Sequence, residues 1–144
     1  MSDILRKIDE ILNKQDLLSW FGTSKVGLTP TRPMKLYRGI SPTIEERHPS
    51  SYLGIFASPN LQTAKSYANG GKVITVYMKI ENPYYMEYDE IQNIKNKNDA
   101  LKISKTLKRK GYDGIFLKPI EGSGSMPNTY TEYIAFEPSQ IKEV

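Results

Sequence analysis

The stretch "TEYIAFEPSQI", residues 131–141, decides how the rest of the chain is read. Tyr133, Ile134, Ala135 and Phe136 form a continuous β-prone apolar run, the pattern of a strand covered on both faces, and a last strand is predicted over 129–137. One acidic residue, Glu132, stands at the mouth of that run. It is either a solvated residue on the outer face of an edge strand, or a functional carboxylate that the strand holds at its exposed start, facing a cleft.

Moving back along the chain, "PIEGSGSMPN" (119–128) reads as a loop and "YDGIFLK" (112–118) as a strand. Residues 98–110, "NDALKISKTLKRK", read as a helix with Asp99 at its start, lysines at its end and Gly111 as terminator. Its basic surface is a solvated face, with an anionic partner as the alternative. "NPYYMEYDE" gives a turn and a short extended piece. "KVITVYMKI" (72–80) alternates Val73, Thr75 and Tyr77 against Ile74, Val76, Met78 and Ile80, as a strand should. "MKLYRGI" and "YLGIFAS" are strands on either side of the polar loop "SPTIEERHPSS", which contains His48, a solvated residue or a substrate contact. "SPNLQTAKSYANGG" is a helix from Ser58-Pro59 to Gly70-Gly71. Strands separated by isolated helices indicate an α+β fold.

At the other end, Ile4, Leu5, Ile8, Ile11 and Leu12 recur at the spacing of one helix face, so residues 3–21 are predicted helical, with Ser2 or Asp3 as N-cap. That face is expected in the core, or else against a partner. "GTSKVGLTPTRP" then reads as a loop. The chain therefore divides into an N-terminal amphipathic helix, 1–22, and one globular unit, 33–144.

Composition narrows the chemistry. Cysteine is absent and His48 is the only histidine, so thiolate sites and a cysteine nucleophile are excluded and no zinc site forms on histidine alone. The net charge of +4 is spread along the chain and gives only a weak pull toward polyanions. No run approaches a membrane span, and the N-terminus lacks the form of a signal peptide, so a cytoplasmic protein is expected. "GGK" at 70–72 lacks the spacing of a phosphate loop, and no GxGxxG is present.

Three stretches put polar or aromatic groups at the ends of predicted strands: "LYRG" (36–39), "GIFASPNLQTAKSYA" (54–68) and "TEYIAFEPSQI". In this order they resemble the ADP-ribosyltransferase superfamily, over about residues 35–142. Thr131-Glu132-Tyr133-Ile134-Ala135-Phe136-Glu137 with Gln140-Ile141 is similar to the catalytic strand of the poly(ADP-ribose) polymerase branch. Gly54-Ile55-Phe56-Ala57-Ser58 leading to Tyr67 matches that branch's middle motif. Tyr112-Asp113-Gly114-Ile115 is like a strand in small phage and bacterial members.

The resemblance implies two small mixed or antiparallel sheets around a cleft, with NAD as co-substrate and no metal. It places Glu132 on the catalytic glutamate and Arg38 with Gly39 on the NAD grip. Ser58 falls on a glutamate-orienting serine, and its alternative role is to cap the helix that follows. Tyr67 and Phe56 become nicotinamide walls, although Tyr67 could equally pack in the core. Tyr37 borders either core or cleft. Tyr130 stands where arginine-modifying members carry a second glutamate, which disfavours arginine as acceptor. The segment "EGSGSMPNTY" (121–130) corresponds to the family's acceptor-recognition loop. The activity implied is transfer of one ADP-ribose to a macromolecule, protein in preference to nucleic acid, by a monomeric phage, toxin or effector enzyme. An NAD glycohydrolase and a non-catalytic binding module are the alternatives. The chemistry suits the residues: a carboxylate stabilises positive charge developing on a ribose, as in glycoside cleavage, and a guanidinium offers a fork of donors to phosphates.

Overall fold

A computed structural model describes residues 2–42, 48–119 and 130–144. The expected acceptor-recognition loop lies outside them except for Tyr130, as does most of the polar loop before His48.

The first helix, α1 (Ser2–Phe21), forms as its periodicity dictates, with Asp3 inside its first turn rather than at its cap. Its apolar face is not in the core. Ile4, Leu5, Ile8, Ile11, Leu12 and Leu18 are all exposed, Ile4 by 67%. The reason is geometric: α1 docks through its last turn, where Phe21 is buried and Trp20 Nε1 donates to Ser139 O at 3.3 Å. The connector expected as a plain loop contains a small hairpin, β1 (Gly27–Thr29) and β2 (Arg32–Pro33).

Two further sheets make up the body. One has the order β3 (Leu36–Ile40), β5 (Lys72–Met78), β9 (Ile141–Glu143), all antiparallel. The other runs β4 (Ile55–Ala57), β8 (Glu132–Ala135), β7 (Gly114–Leu117), β6 (Pro83–Met86), with only β6 and β7 parallel. Of the described part of the expected last strand only Glu132–Ala135 is extended and paired, and Pro138 opens a 3-10 turn before β9 leaves for the other sheet.

β8 is a central strand, and that explains its unbroken apolar run. Ile134 points with Leu53, Met86, Ile115 and Leu117 toward α3 (Tyr88–Gln92) and α4 (Lys97–Arg109). Tyr133 and Ala135 point into a second core between the sheets, with Leu36, Val76, Met78 and Phe116. Each fully buried aliphatic side chain contributes about 1.5–3 kcal/mol. The helix α4 starts one residue earlier than expected, capped by Asn96 and ended by Gly111 at φ 95°. Tyr52 and Leu53, expected in a strand, belong instead to a 3-10 turn, Pro49–Leu53.

Gln140 ties the two sheets together. Its Oε1 accepts from Phe136 N (3.2 Å) and Glu137 N (2.8 Å), and its Nε2 donates to Lys79 O (2.8 Å) and Asp113 O (2.7 Å). The Asp113 carboxylate in turn accepts from Glu81 N and Asn82 N, both at 2.8 Å. This network fixes the start of β7 against the chain leaving β5.

Candidate functional site

Strands β3 and β4, from different sheets, touch at one point. Tyr37 N donates to Ser58 O (2.7 Å) and Ser58 N to Tyr37 O (2.9 Å). Beyond this bridge the sheets part, and the gap is a cavity of about 400 Å³. Its walls are β3 (Tyr37, Arg38, Gly39), β4 (Phe56, Ala57) with Ser58 just after it, the helix α2 (Leu61–Ala68) with Tyr67, the 3-10 turn with His48 before it, and Glu132. All seven residues singled out from the sequence therefore line one cavity.

Glu132 is the first residue of β8, yet it is only 7% exposed; the exposed strand start expected for it is corrected. Its register position opposite Leu117, in a strand flanked on both sides, closes it off from bulk solvent. Among the described residues, its Oε1 has no hydrogen-bond partner. Burial pushes the carboxyl above the ordinary carboxylate value, and the hydroxyl of Tyr67 pulls it part of the way back. Tyr67 responds in kind: burial first, then the Glu132 charge and hydrogen bonding to it, push its hydroxyl far up. A buried acceptor without a donor is costly.

Ser58 is not a helix cap. Asn60 caps α2, its Oδ1 accepting from Gln62 N (2.9 Å) and Thr63 N (3.3 Å). The Ser58 hydroxyl accepts from Asn60 N (3.0 Å) and donates to Thr131 O (2.8 Å), so it clamps the residue before Glu132. Arg38 Nη1 donates to Phe56 O at 2.8 Å and crosses the split between the sheets. Tyr67 is half exposed rather than a core residue, and its ring meets Phe56 at 6.1 Å and 48°. Gly39 is required by close approach: a Cβ there would lie 2.0 Å from Ala64 O and 2.6 Å from Ala68 N, so only glycine lets α2 seat on β3.

Sequence reasoning passed over Ser50 and Ser51. The legible signal was Pro49 after His48 with two serines following, a 3-10 start of the kind that a side-chain acceptor caps. His48 Nδ1 accepts from Ser50 N at 3.1 Å and lies 2.7 Å from Ser50 Oγ. The Ser51 hydroxyl is buried without a partner among the described residues. Tyr130 packs with Phe116, Tyr133 and Tyr85, at centroid distances of 5.0, 6.0 and 5.8 Å, so an aromatic cluster occupies the place of a second acid.

Two small sheets part over a cavity with one carboxylate, Glu132, buried at the split. No group of three potential metal ligands occurs among the described residues. The family model for the ADP-ribosyltransferase in polyvalent proteins matches residues 31–144, and the chain belongs to that family. No curated protein and no solved structure matches it significantly. The family uses NAD as a substrate. No helix among the described residues is long and apolar enough to cross a membrane.

Proposed function

We propose that the protein transfers a single ADP-ribose from NAD to a macromolecular acceptor, a protein in preference to nucleic acid. The observation that carries this reading is the buried Glu132 carboxylate, with one oxygen unpartnered among the described residues, on a cavity walled by Phe56 and Tyr67. NAD supplies an N-glycosidic bond whose electron pair leaves with nicotinamide, now neutral, while the ribose gains positive charge and then the acceptor. Glu132 offers that charge a carboxylate in a water-poor site, where electrostatic stabilisation is strongest, and its Oε1, unpartnered among the described residues, accepts a ribose hydroxyl. Ser58 positions Glu132 through the Thr131 carbonyl. Phe56 and Tyr67 present aromatic faces to a pyridinium cation, worth about 0.5–2 kcal/mol. Arg38 contributes fixed positive charge for the phosphates. The acceptor's proton passes to solvent.

The test is incubation with NAD labelled in its adenylate half and a cell lysate. Label on a discrete protease-sensitive band supports the proposal. Label removed by nuclease makes nucleic acid the acceptor, and free ADP-ribose without labelled macromolecule makes the protein a glycohydrolase.

A further inference from the structure

The cavity's charge does not balance that of the nucleotide proposed for it. Among its described lining residues Arg38 is the one fixed cation, and one of its N–H groups is spent on Phe56 O. A diphosphate bridge carries two negative charges and accepts hydrogen bonds without donating any. Further donors are needed, and the 3-10 turn Pro49–Leu53 together with its cap, His48, offers two.

The first is His48. A backbone N–H can only donate, so the bond from Ser50 N requires a lone pair on Nδ1, and the neutral ring carries its proton on Nε2. The second is Ser51, whose buried hydroxyl has no partner among the described residues. Two backbone N–H groups of the turn are already used, Ser50 N on His48 Nδ1 and Ser51 N on His48 O at 2.9 Å. The donors considered on this side of the lining are therefore side chains, in a cavity whose one described carboxylate is Glu132.

We infer that His48 and Ser51 bind the diphosphate of the ADP-ribose donor, together with Arg38. The inference rests on the reading of this cavity as the donor-nucleotide site. It makes an unusual demand on Ser51: a hydroxyl buried without a partner weakens the free protein, so removing it should cost affinity without costing stability.

The experiment is calorimetric titration of ADP and of adenosine into the full chain, wild type, Ser51→Ala and His48→Asp, with thermal melts in parallel. Asp keeps a cap acceptor for Ser50 N while turning the outward donor into a negative charge. Ser51→Ala is expected to bind ADP about tenfold more weakly and to melt no lower than wild type. His48→Asp should lose more than tenfold. Adenosine affinity should stay within about twofold in both, since it lacks the diphosphate. ADP affinities within twofold of wild type would overturn the inference, and so would equal losses for ADP and adenosine, which would assign the pair to the nucleoside. A wild type that binds neither ligand would overturn the donor-site reading beneath it, a separate and distinguishable result.

Discussion

A single methyl group at Gly39 should disable the site from its far side. The added Cβ of Gly39→Ala would lie 2.0 Å from Ala64 O and 2.6 Å from Ala68 N, both backbone atoms of α2 that no rotamer change can move away. Ordinary contact starts at 3.4 Å, so α2 must retreat by more than an ångström from β3. Ala64 and Ala68, 1% and 2% exposed, are the buried residues of that helix, and their packing is what the retreat opens. Overpacking of this kind costs about 1–3 kcal/mol, which for a chain of this size lowers the melting temperature by about 2–12 °C. Tyr67 lies between those alanines and moves with them relative to Glu132, and a misplacement of about 1 Å can cost about a hundredfold in rate. Gly70→Ala is the control: its φ of +84° brings left-handed strain, but nothing lies within 4 Å of the new methyl, so stability should fall by about 1–2 kcal/mol and NAD turnover should persist. Calorimetry and nicotinamide release, measured on both variants, decide the matter. A Gly39→Ala protein with wild-type melting and turnover would refute the packing argument.

The Glu132 carboxyl titrates above its ordinary value of 4.5, so the folded state holds this proton more tightly than the unfolded one. Its contribution to stability is then fullest below that value and is lost as pH rises through the raised one. Glu132→Gln should therefore melt higher than wild type at about pH 8 and lose that advantage at about pH 4, while the acid limb of wild-type activity lies above the ordinary carboxylate range. Gln140→Ala removes four hydrogen bonds at once and should destabilise by about 2–4 kcal/mol in denaturant titration. Deleting residues 1–19 should leave the melting temperature within about 4 °C of the full chain, because α1 docks through Trp20 and Phe21.

The composition of the cavity was legible because its residues sit in short motifs at strand ends, and a split between sheets brings strand ends together whatever the loops do. Glu132 was singled out because its motif resembles the family's catalytic strand, but its burial was not legible. Burial depends on β8 lying between β4 and β7, a pairing over long sequence separation that no local pattern encodes. Ser58-Pro59 looks like a cap pair in sequence, yet Asn60 takes the cap, because the Ser58 backbone is held in the bridge to Tyr37 and its hydroxyl reaches Thr131. The periodicity of α1 gave a correct helix and a wrong burial: an amphipathic pattern tells which face wants cover, not whether the domain supplies it. The strand β9 and the hairpin escaped notice because each is only two or three residues long and rests on tertiary pairing.

The most direct test of the account is the rate of nicotinamide release from NAD, in the presence of the same lysate, by wild type and by Glu132→Gln at about pH 8, with ADP affinity measured alongside. The account predicts a rate at least a hundredfold lower for Glu132→Gln with ADP binding intact, since the change spares the groups assigned to the phosphates. Equal rates for the two proteins would contradict it, because the buried carboxylate would then have no part in breaking the glycosidic bond.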